Sequence, residues 1–75
     1  MDLRQIEYII AIEQEESISK AAEKLFITQS ALNQQLLKLE KELGMPLFER
    51  KKRQMIPTVA GRIYLVTAHQ MIDMK

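Results

Sequence analysis

The chain has 75 residues, of which 47% are hydrophobic and only 5% aromatic, and its formal net charge is +1. This length and composition fit one small domain with a thin core and leave no room for a second domain. The absence of cysteine excludes a disulfide framework and a thiolate metal site, and it is compatible with a reducing compartment. Neither a signal-peptide pattern nor an apolar run of membrane length is present. We therefore expect a cytoplasmic protein that makes no membrane contact.

The charges are segregated along the chain. Residues 1–19 carry one positive and five negative side chains, whereas residues 43–62 carry five positive and one negative. Residues 20–42 contribute +1 to the total, and residues 63–75 contribute nothing. A polyanionic partner is therefore expected to meet one end of the molecule.

Capping signals predict three helices in the first part of the chain. Asp2 opens a capping-box-like pattern and a first helix over about residues 2–15. Ser19 is predicted to cap a short second helix, and Thr28 a third helix that ends at Gly44. Since only about three residues separate the second and third helices, the two must form a tight helix-turn-helix corner.

The pattern of apolar and charged residues changes after the third helix. Two short apolar stretches, MPLFE and QMIPT, flank the basic sequence RKKR and predict a small hairpin. Pro57 restricts the second strand to a sheet edge or a strand end. Thr58 is predicted to cap a fourth helix that continues as far as the chain does. The elements therefore predict a mainly α-helical fold with one hairpin.

The predicted third helix has an apolar side and an unusual opposite side. On a helical wheel, a narrow stripe expected to be buried is formed by Leu32, Leu36, Leu39 and Leu43. The opposite side carries Ser30, Asn33, Gln34, Leu37 and Lys41. Amide and hydroxyl side chains can both donate and accept hydrogen bonds, an Asn or Gln can pair with adenine, and a leucine can lie against a thymine methyl. We interpret this side as a surface for DNA groove edges.

Each of these signals also has an ordinary explanation. Most surface helices carry polar residues opposite an apolar stripe, and hairpin edges are often protected by Lys and Arg. The tight corner and the adjacent RKKR sequence together favour base reading and phosphate contact. The alternative is a small protein-interaction domain that shares the helix-turn-helix corner, although such a domain has no use for four consecutive cations.

The sequence AAEKLFITQSALNQQLLKLEKELGMPLFER, followed by TVAG, resembles the N-terminal domain of LysR-type transcriptional regulators. The resemblance covers about residues 1–65, with many positions matching in register. It implies a winged helix-turn-helix fold, with a three-helix core, a two-stranded wing and the start of a long linker helix. The implied DNA-binding domain spans residues 1–58, with the helix-turn-helix at about 18–42, the wing at about 46–57 and a truncated linker and dimerisation helix at 58–75.

The resemblance also implies a function. The chain would be a sequence-specific double-stranded-DNA-binding module of a bacterial transcription regulator rather than an enzyme, and it would need no cofactor. The third helix would enter the major groove, and the basic wing would lie along the adjacent minor groove. A small-molecule effector would act only through a domain absent from this chain, which therefore looks like a fragment.

Roles for individual residues follow from the same resemblance. Helix N-termini, where backbone amides face phosphate, would place Ser19 and Thr28 on the DNA backbone. The residues predicted to bind DNA are Ser19, Lys20, Thr28, Gln29, Ser30, Asn33, Gln34, Leu37, Lys38, Arg50, Lys51, Lys52 and Arg53. The family usually has Ser where Asn33 stands and often a basic residue where Leu37 stands, so its target preference cannot be transferred to this chain.

The predicted fourth helix is apolar on nearly every side, and the thin core can cover one side only. We therefore expect a second copy of the chain to cover the rest, with the fourth helices antiparallel across a two-fold axis, as in the family's linker-helix dimer. The residues assigned to dimerisation are Ile63, Leu65, Val66, Met71 and Ile72. Such a homodimer would bind an approximate inverted repeat with half-sites about one helical turn apart.

Other patterns predict no further chemistry. His69 is the single histidine, and cysteine is absent. Since Asp73 is the one carboxylate within helical reach of it, a metal site would be incomplete, and we expect His69 on the surface or at an interface. The acidic residues Glu13, Glu15 and Glu16 are expected to be solvated, since no pocket-forming sequence surrounds them. Met55 and Met71 are expected in the hairpin and helix cores.

Overall fold

The computed structural model describes residues 2–73 as four helices and one two-stranded sheet. The helices are α1 (Leu3–Glu15), α2 (Ile18–Leu25), α3 (Gln29–Leu43) and α4 (Val59–Asp73). The strands are β1 (Phe48–Lys51) and β2 (Gln54–Pro57), which pair antiparallel with Phe48 opposite Pro57 and Lys51 opposite Gln54. The predicted order of three helices, a hairpin and a fourth helix is confirmed. Among residues 2–73, no helix has both the length and the apolar character that crossing a membrane requires.

Side-chain caps begin three of the helices as predicted. The side chains of Asp2, Thr28 and Thr58 each accept a hydrogen bond from the backbone N–H three residues later, at 2.9 to 3.0 Å. Each oxygen satisfies an N–H group that the first helical turn leaves without an intrahelical acceptor.

The cap of α2 differs from the prediction. The hydroxyl of Ser17, not that of Ser19, accepts the Lys20 N–H, at 3.2 Å. The earlier serine is the cap because Ile18 is already helical and is buried in the core, which fixes the first turn of α2 two residues earlier than predicted. Ser19 lies inside this first turn and remains exposed.

Three helices end at a residue in the left-handed conformation. These residues are Glu16, Phe26 and Gly44, with φ angles of 55°, 59° and 77°. Glycine adopts this conformation without the steric penalty of a Cβ, so the predicted end of α3 at Gly44 is confirmed. No comparable sequence signal marks Glu16 or Phe26 as a helix end.

The core lies where α1, α2 and α3 meet, and α4 and the hairpin close it. The largest fully buried side chains are Ile6, Ile9, Ile12, Leu32 and Leu47. The predicted stripe of α3 is buried at Leu32, Leu36 and Leu39, but Leu43 is 39% exposed. Leu43 is the last residue of α3 and extends past the core, which is why the wheel pattern mispredicts it.

The start of α4 is fastened to the segment before β1. The Thr58 N–H donates to the Leu47 carbonyl at 3.0 Å, and the Thr58 hydroxyl donates to the Pro46 carbonyl at 2.8 Å. Gly61 lies so close to the same segment that a Cβ there would overlap the Leu47 carbonyl oxygen. This glycine is therefore required by a close approach between α4 and the backbone at Leu47.

Two predictions for α4 are wrong in detail. Leu65 is only 3% exposed and belongs to the core, so it cannot contribute to a dimer surface. It shares the core-facing side of α4 with the buried Gly61 and Ala68, which are four residues before it and three after it. Met71 was expected in the core but is exposed. Helical periodicity shows that α4 is apolar all round, but it does not show which side faces its own core.

Candidate nucleic-acid interface

The exposed side of α3 brings the predicted base-reading residues together. The exposed members of this set are Gln29, Ser30, Gln34, Leu37 and Lys38, and Asn33 beside them is half-buried. Thr28 is exposed and holds the start of the helix through its hydroxyl. The side of α3 that faces away from the core is therefore continuous and accessible.

The start of α2 lies beside the start of α3. Ser19 and Lys20 are both exposed in the first turn of α2, and the Ser19 hydroxyl lies 3.2 Å from that of Ser17. A helix start offers backbone N–H groups and a partial positive charge, which suits an anion such as a phosphate. The structure thus places the predicted phosphate contacts at a helix start, although the capping residue is Ser17.

The tip of the wing is a two-residue turn made of cations. Lys52 and Arg53 connect β1 to β2 and have φ angles of 47° and 69°. Two-residue hairpin turns with both φ angles positive favour Asn-Gly, because other residues pay a steric cost there. Strained backbone conformations cluster at functional sites, and this one carries two exposed cations. Of the other two wing cations, Lys51 lies 3.3 Å from Glu49, and Arg50 is exposed.

The wing and the two helix starts enclose one cleft. It has a volume of about 230 Å³ and is lined by Ser17, Ile18, Ser19, Gln29, Arg50, Arg53 and Met55. The buried Met55 supplies an apolar floor, and the polar lining comes from three different elements. The fold therefore brings two arginines, two serines and the first residue of α3 together from positions up to 36 residues apart in the sequence, from Ser17 to Arg53.

Two anchors hold the base of the wing. The Met55 N–H donates to the Glu16 carbonyl at 3.0 Å, which attaches β2 to the end of α1. The Glu40 carboxylate accepts the Leu47 N–H at 2.7 Å and the Phe48 N–H at 3.4 Å, which attaches the start of β1 to α3. The position of the wing relative to α3 therefore depends on Glu40.

Sequence reasoning missed the role of Glu40. It follows the apolar stripe of α3 directly, and helical spacing does not distinguish it from the exposed acid Glu42. Its separate signal is the pair of backbone donors that follow Pro46, the N–H groups of Leu47 just before β1 and of Phe48 at its first residue, which need acceptors. That signal becomes readable only once the loop is known to fold back onto α3.

The acidic end of α1 is paired more than predicted. Glu13 Oε1 lies 2.8 Å from His69 Nε2, and Lys24 Nζ lies 3.6 Å from Glu15 Oε2. The prediction that these acids are simply solvated therefore holds for Glu16 but is wrong for Glu13 and Glu15, which are half-buried and paired. The contact of Glu13 with His69 joins α1 to α4 across 56 residues of sequence, which no local spacing reveals.

Little else in the described residues suggests reaction chemistry. Residues 2–73 contain no group of three or more His, Cys, Asp or Glu side chains that could hold a metal ion. The Tyr64 hydroxyl is buried without a hydrogen-bond partner, and burial, with a smaller effect of the Asp2 carboxylate, raises the pKa of this phenol. Tyr64 therefore stays neutral and packs against the core.

A helix-turn-helix corner beside a basic two-stranded wing defines the winged helix-turn-helix class of protein. Within this class, residues 3–62 match the family model described as a bacterial regulatory helix-turn-helix protein, lysR family. The chain belongs to this family.

Curated relatives share the sequence along nearly the whole chain. The HTH-type transcriptional regulator BsdA of Bacillus subtilis is 47% identical over 73 residues, which cover 96% of this chain and 25% of BsdA. The HTH-type transcriptional regulator BenM of Acinetobacter baylyi is 39% identical over 73 residues, which cover 97% of this chain and 24% of BenM. The chain thus spans about a quarter of the length of these relatives.

Solved structures agree in fold. The complex of the BenM DNA-binding domain with benA site 1 DNA superposes with a TM-score of 0.92 at 38% identity, covering 97% of this chain and 82% of that one. The complex of the CbnR DNA-binding domain with DNA has a TM-score of 0.91 at 32% identity, covering 99% of this chain and 85% of that one. The winged helix-turn-helix fold predicted from the sequence is confirmed.

Proposed function

We propose that the chain is the sequence-specific double-stranded-DNA-binding module of a LysR-type bacterial transcription regulator. In this proposal, α3 enters the major groove and the wing lies along the adjacent minor groove. The observation that carries the proposal is the cleft in which Arg50 and Arg53 of the wing face Gln29, the first residue of α3. Relatives whose structures include DNA, at TM-scores above 0.9, support it.

The proposal assigns different tasks to the two kinds of side chain. The cations Lys20, Lys38, Arg50, Lys52 and Arg53 contact phosphates, which fixes the position of the protein on the duplex but carries no sequence information. The polar residues of α3, from Gln29 to Gln34, contact base edges in the major groove. Residues 1–58 form the DNA-binding domain and residues 58–75 the start of the linker helix. Residue 1 and residues 74–75 lie outside the described residues.

The salt dependence of duplex binding tests the role of the cleft. Each phosphate that the protein neutralises contributes about −0.9 to the slope of log affinity against log salt concentration. Replacing both Arg50 and Arg53 by Gln should therefore flatten the slope by about one to two units. Fluorescence anisotropy of a labelled duplex at several salt concentrations measures this slope.

The chain offers a matched control, since it contains four arginines and two of them lie outside the cleft. Arg4 and Arg62 are both exposed, and replacing both by Gln changes the net charge by the same amount. The control should keep the slope of the wild type. If the cleft variant and the wild type had the same slope of log affinity against log salt concentration, the wing would not be part of the DNA interface.

A further inference from the structure

The exposed side of α3 carries no charge over its first two and a half turns. Its side chains from Gln29 to Leu37 are amides, a hydroxyl and one leucine, and the first cation on the helix is Lys38. In helix-turn-helix proteins, the N-terminal residues of the reading helix contact the base edges. The part of α3 that would reach the bases is therefore uncharged, and the cations lie beside it in the wing and on the later turns.

This distribution limits which bases α3 can read directly. Guanine is read most often by an arginine or lysine that donates to its O6 and N7 atoms. Adenine is read by the amide of Asn or Gln, which donates to N7 and accepts from N6. With amides and no cation at the base-reading positions, α3 is suited to A·T pairs rather than to G·C pairs.

Leu37 independently indicates that α3 reads A·T pairs. It is 55% exposed and lies one helical turn after Asn33, on the side of α3 that also carries Ser30 and Gln34. The exposed Leu43 lines an apolar groove with Met45, Val59 and Ile63, but Leu37 does not line it. Leu37 therefore needs a separate explanation, and the thymine 5-methyl is the one apolar group that a base pair presents in the major groove.

The spacing of the two residues fits neighbouring base pairs. Four residues of helix advance by about 6 Å, and successive base pairs are about 3.4 Å apart along the duplex. When α3 lies in the groove, Asn33 and Leu37 would thus contact base pairs no more than about two steps apart.

We propose that α3 reads a short run of A·T pairs, in which Asn33 pairs with the N6 and N7 atoms of an adenine and Leu37 packs against the 5-methyl group of a thymine within two base pairs. This inference rests on the proposed function and adds the identity of the bases and of the residue that selects thymine. The alternative contact for Leu37, a second protein, would make binding independent of the thymine methyl.

Replacing one atom group at a time in the duplex tests the inference. In the site selected by the wild-type chain from a random duplex pool, each thymine is replaced in turn by deoxyuridine, which removes only the 5-methyl group. At one position the wild type should lose about three- to fivefold in affinity, the amount expected for one buried methyl group. Leu37→Ala should bind the unmodified duplex more weakly and should not respond further to that replacement.

A second arm tests the adenine contact. Each adenine is replaced in turn by 7-deazaadenine, which lacks the N7 acceptor. At one position the wild type should lose about two- to tenfold in affinity, because one of the two hydrogen bonds of a bidentate contact is lost. Asn33→Ala should be insensitive at that position. The affected adenine should lie within two base pairs of the affected thymine.

Leu43→Ala is the matched control, because Leu43 is a second exposed leucine on the same helix but lies on the apolar groove. It should respond to deoxyuridine as the wild type does. Equal sensitivity of the wild type and Leu37→Ala at every thymine, or a selected site with G·C pairs at the positions that depend on Asn33 and Leu37, would overturn the inference and leave the proposed function intact. Failure to select any site would overturn the proposed function itself.

Discussion

Lys52 and Arg53 hold backbone conformations that their side chains make costly. Replacing them by Asn and Gly, the pair that a two-residue turn with positive φ angles favours, should raise the free energy of unfolding by about 1–2 kcal/mol. The same change removes two wing cations and should weaken duplex binding. Urea unfolding and anisotropy on the same samples measure both effects.

A control separates strain from charge at this turn. Lys52→Gln with Arg53→Gln removes the same two charges but keeps residues that do not favour a positive φ. It should lose as much affinity as the Asn-Gly variant without the gain in stability. If the Asn-Gly variant were less stable than the wild type, the turn would not be strained by Lys52 and Arg53. If its affinity for the duplex were unchanged, these two cations would not contact DNA.

Single residues were predictable where their partners are close in sequence. Thr28, Gly44 and Thr58 were assigned correctly because a cap or a helix end depends on residues within one turn. Glu40 and the pair formed by Glu13 and His69 were not, because their partners arrive through the tertiary fold. The arrangement of Gln29 with Arg50 and Arg53 in one cleft belongs to the second kind, since each residue was predicted but their common position was not.

At the scale of elements, Gly61 decides how α4 meets the rest of the domain. Replacing a helical glycine by alanine normally stabilises a protein by up to about 1 kcal/mol. Gly61→Ala should instead destabilise it by about 1–3 kcal/mol or more, because the new Cβ would overlap the Leu47 carbonyl oxygen. Urea unfolding measures the sign directly.

The second glycine provides the comparison. Among residues 2–73, no atom beyond the two chain neighbours of Gly44 would lie within 4 Å of a Cβ at this position, whose φ angle is 77°. Gly44→Ala should therefore cost only the left-handed penalty of about 1 kcal/mol in the free energy of unfolding. Its affinity for the duplex should be unchanged under conditions in which the variant is fully folded. If Gly61→Ala proved as stable as the wild type, the close approach of α4 to Leu47 would not exist in solution.

The order and type of the elements were predictable because each helix and strand is marked by local signals. The errors concern which neighbour covers which side. Leu43 and Met71 were both expected to be buried, whereas both are exposed. Leu43 ends α3 past the core, and Met71 lies beside Ile6 and Tyr64 but remains 46% exposed. Leu65 was assigned to a dimer surface because periodicity alone does not distinguish the two apolar sides of α4.

At the scale of the whole molecule, α4 leaves an apolar surface uncovered. Ile63 and Val66 are 66% and 62% exposed, and Ile63 also lines an apolar groove of about 430 Å³ with Leu43, Met45 and Val59. Contiguous exposed apolar surface of this kind marks an interaction site. We propose that a second copy of the chain covers it, so that α4 pairs with its symmetry mate.

Ile63→Glu tests this pairing because the side chain is exposed and the fold does not depend on it. Since burying one Ile contributes about 1.5–3 kcal/mol, its loss should weaken dimerisation by about tenfold or more in sedimentation equilibrium. Leu37→Glu, a similar change at an exposed residue of α3, should leave dimerisation unchanged. Leu65→Glu cannot serve as the test, because it places a charge in the core. If the wild type is monomeric at every concentration up to millimolar, this chain does not pair by itself.

Selection of bound sequences from a random duplex pool tests the central claim most directly. If α3 reads base edges and the wing binds the backbone, the retained duplexes should converge on one half-site, and a dimer should enrich two inverted copies about 10 base pairs apart, centre to centre. Asn33→Ala should relax the preference at one position while retaining salt-dependent binding. Retained duplexes with the same base composition as the starting pool, at every salt concentration, would contradict the assignment of this chain as a sequence-specific DNA-binding module.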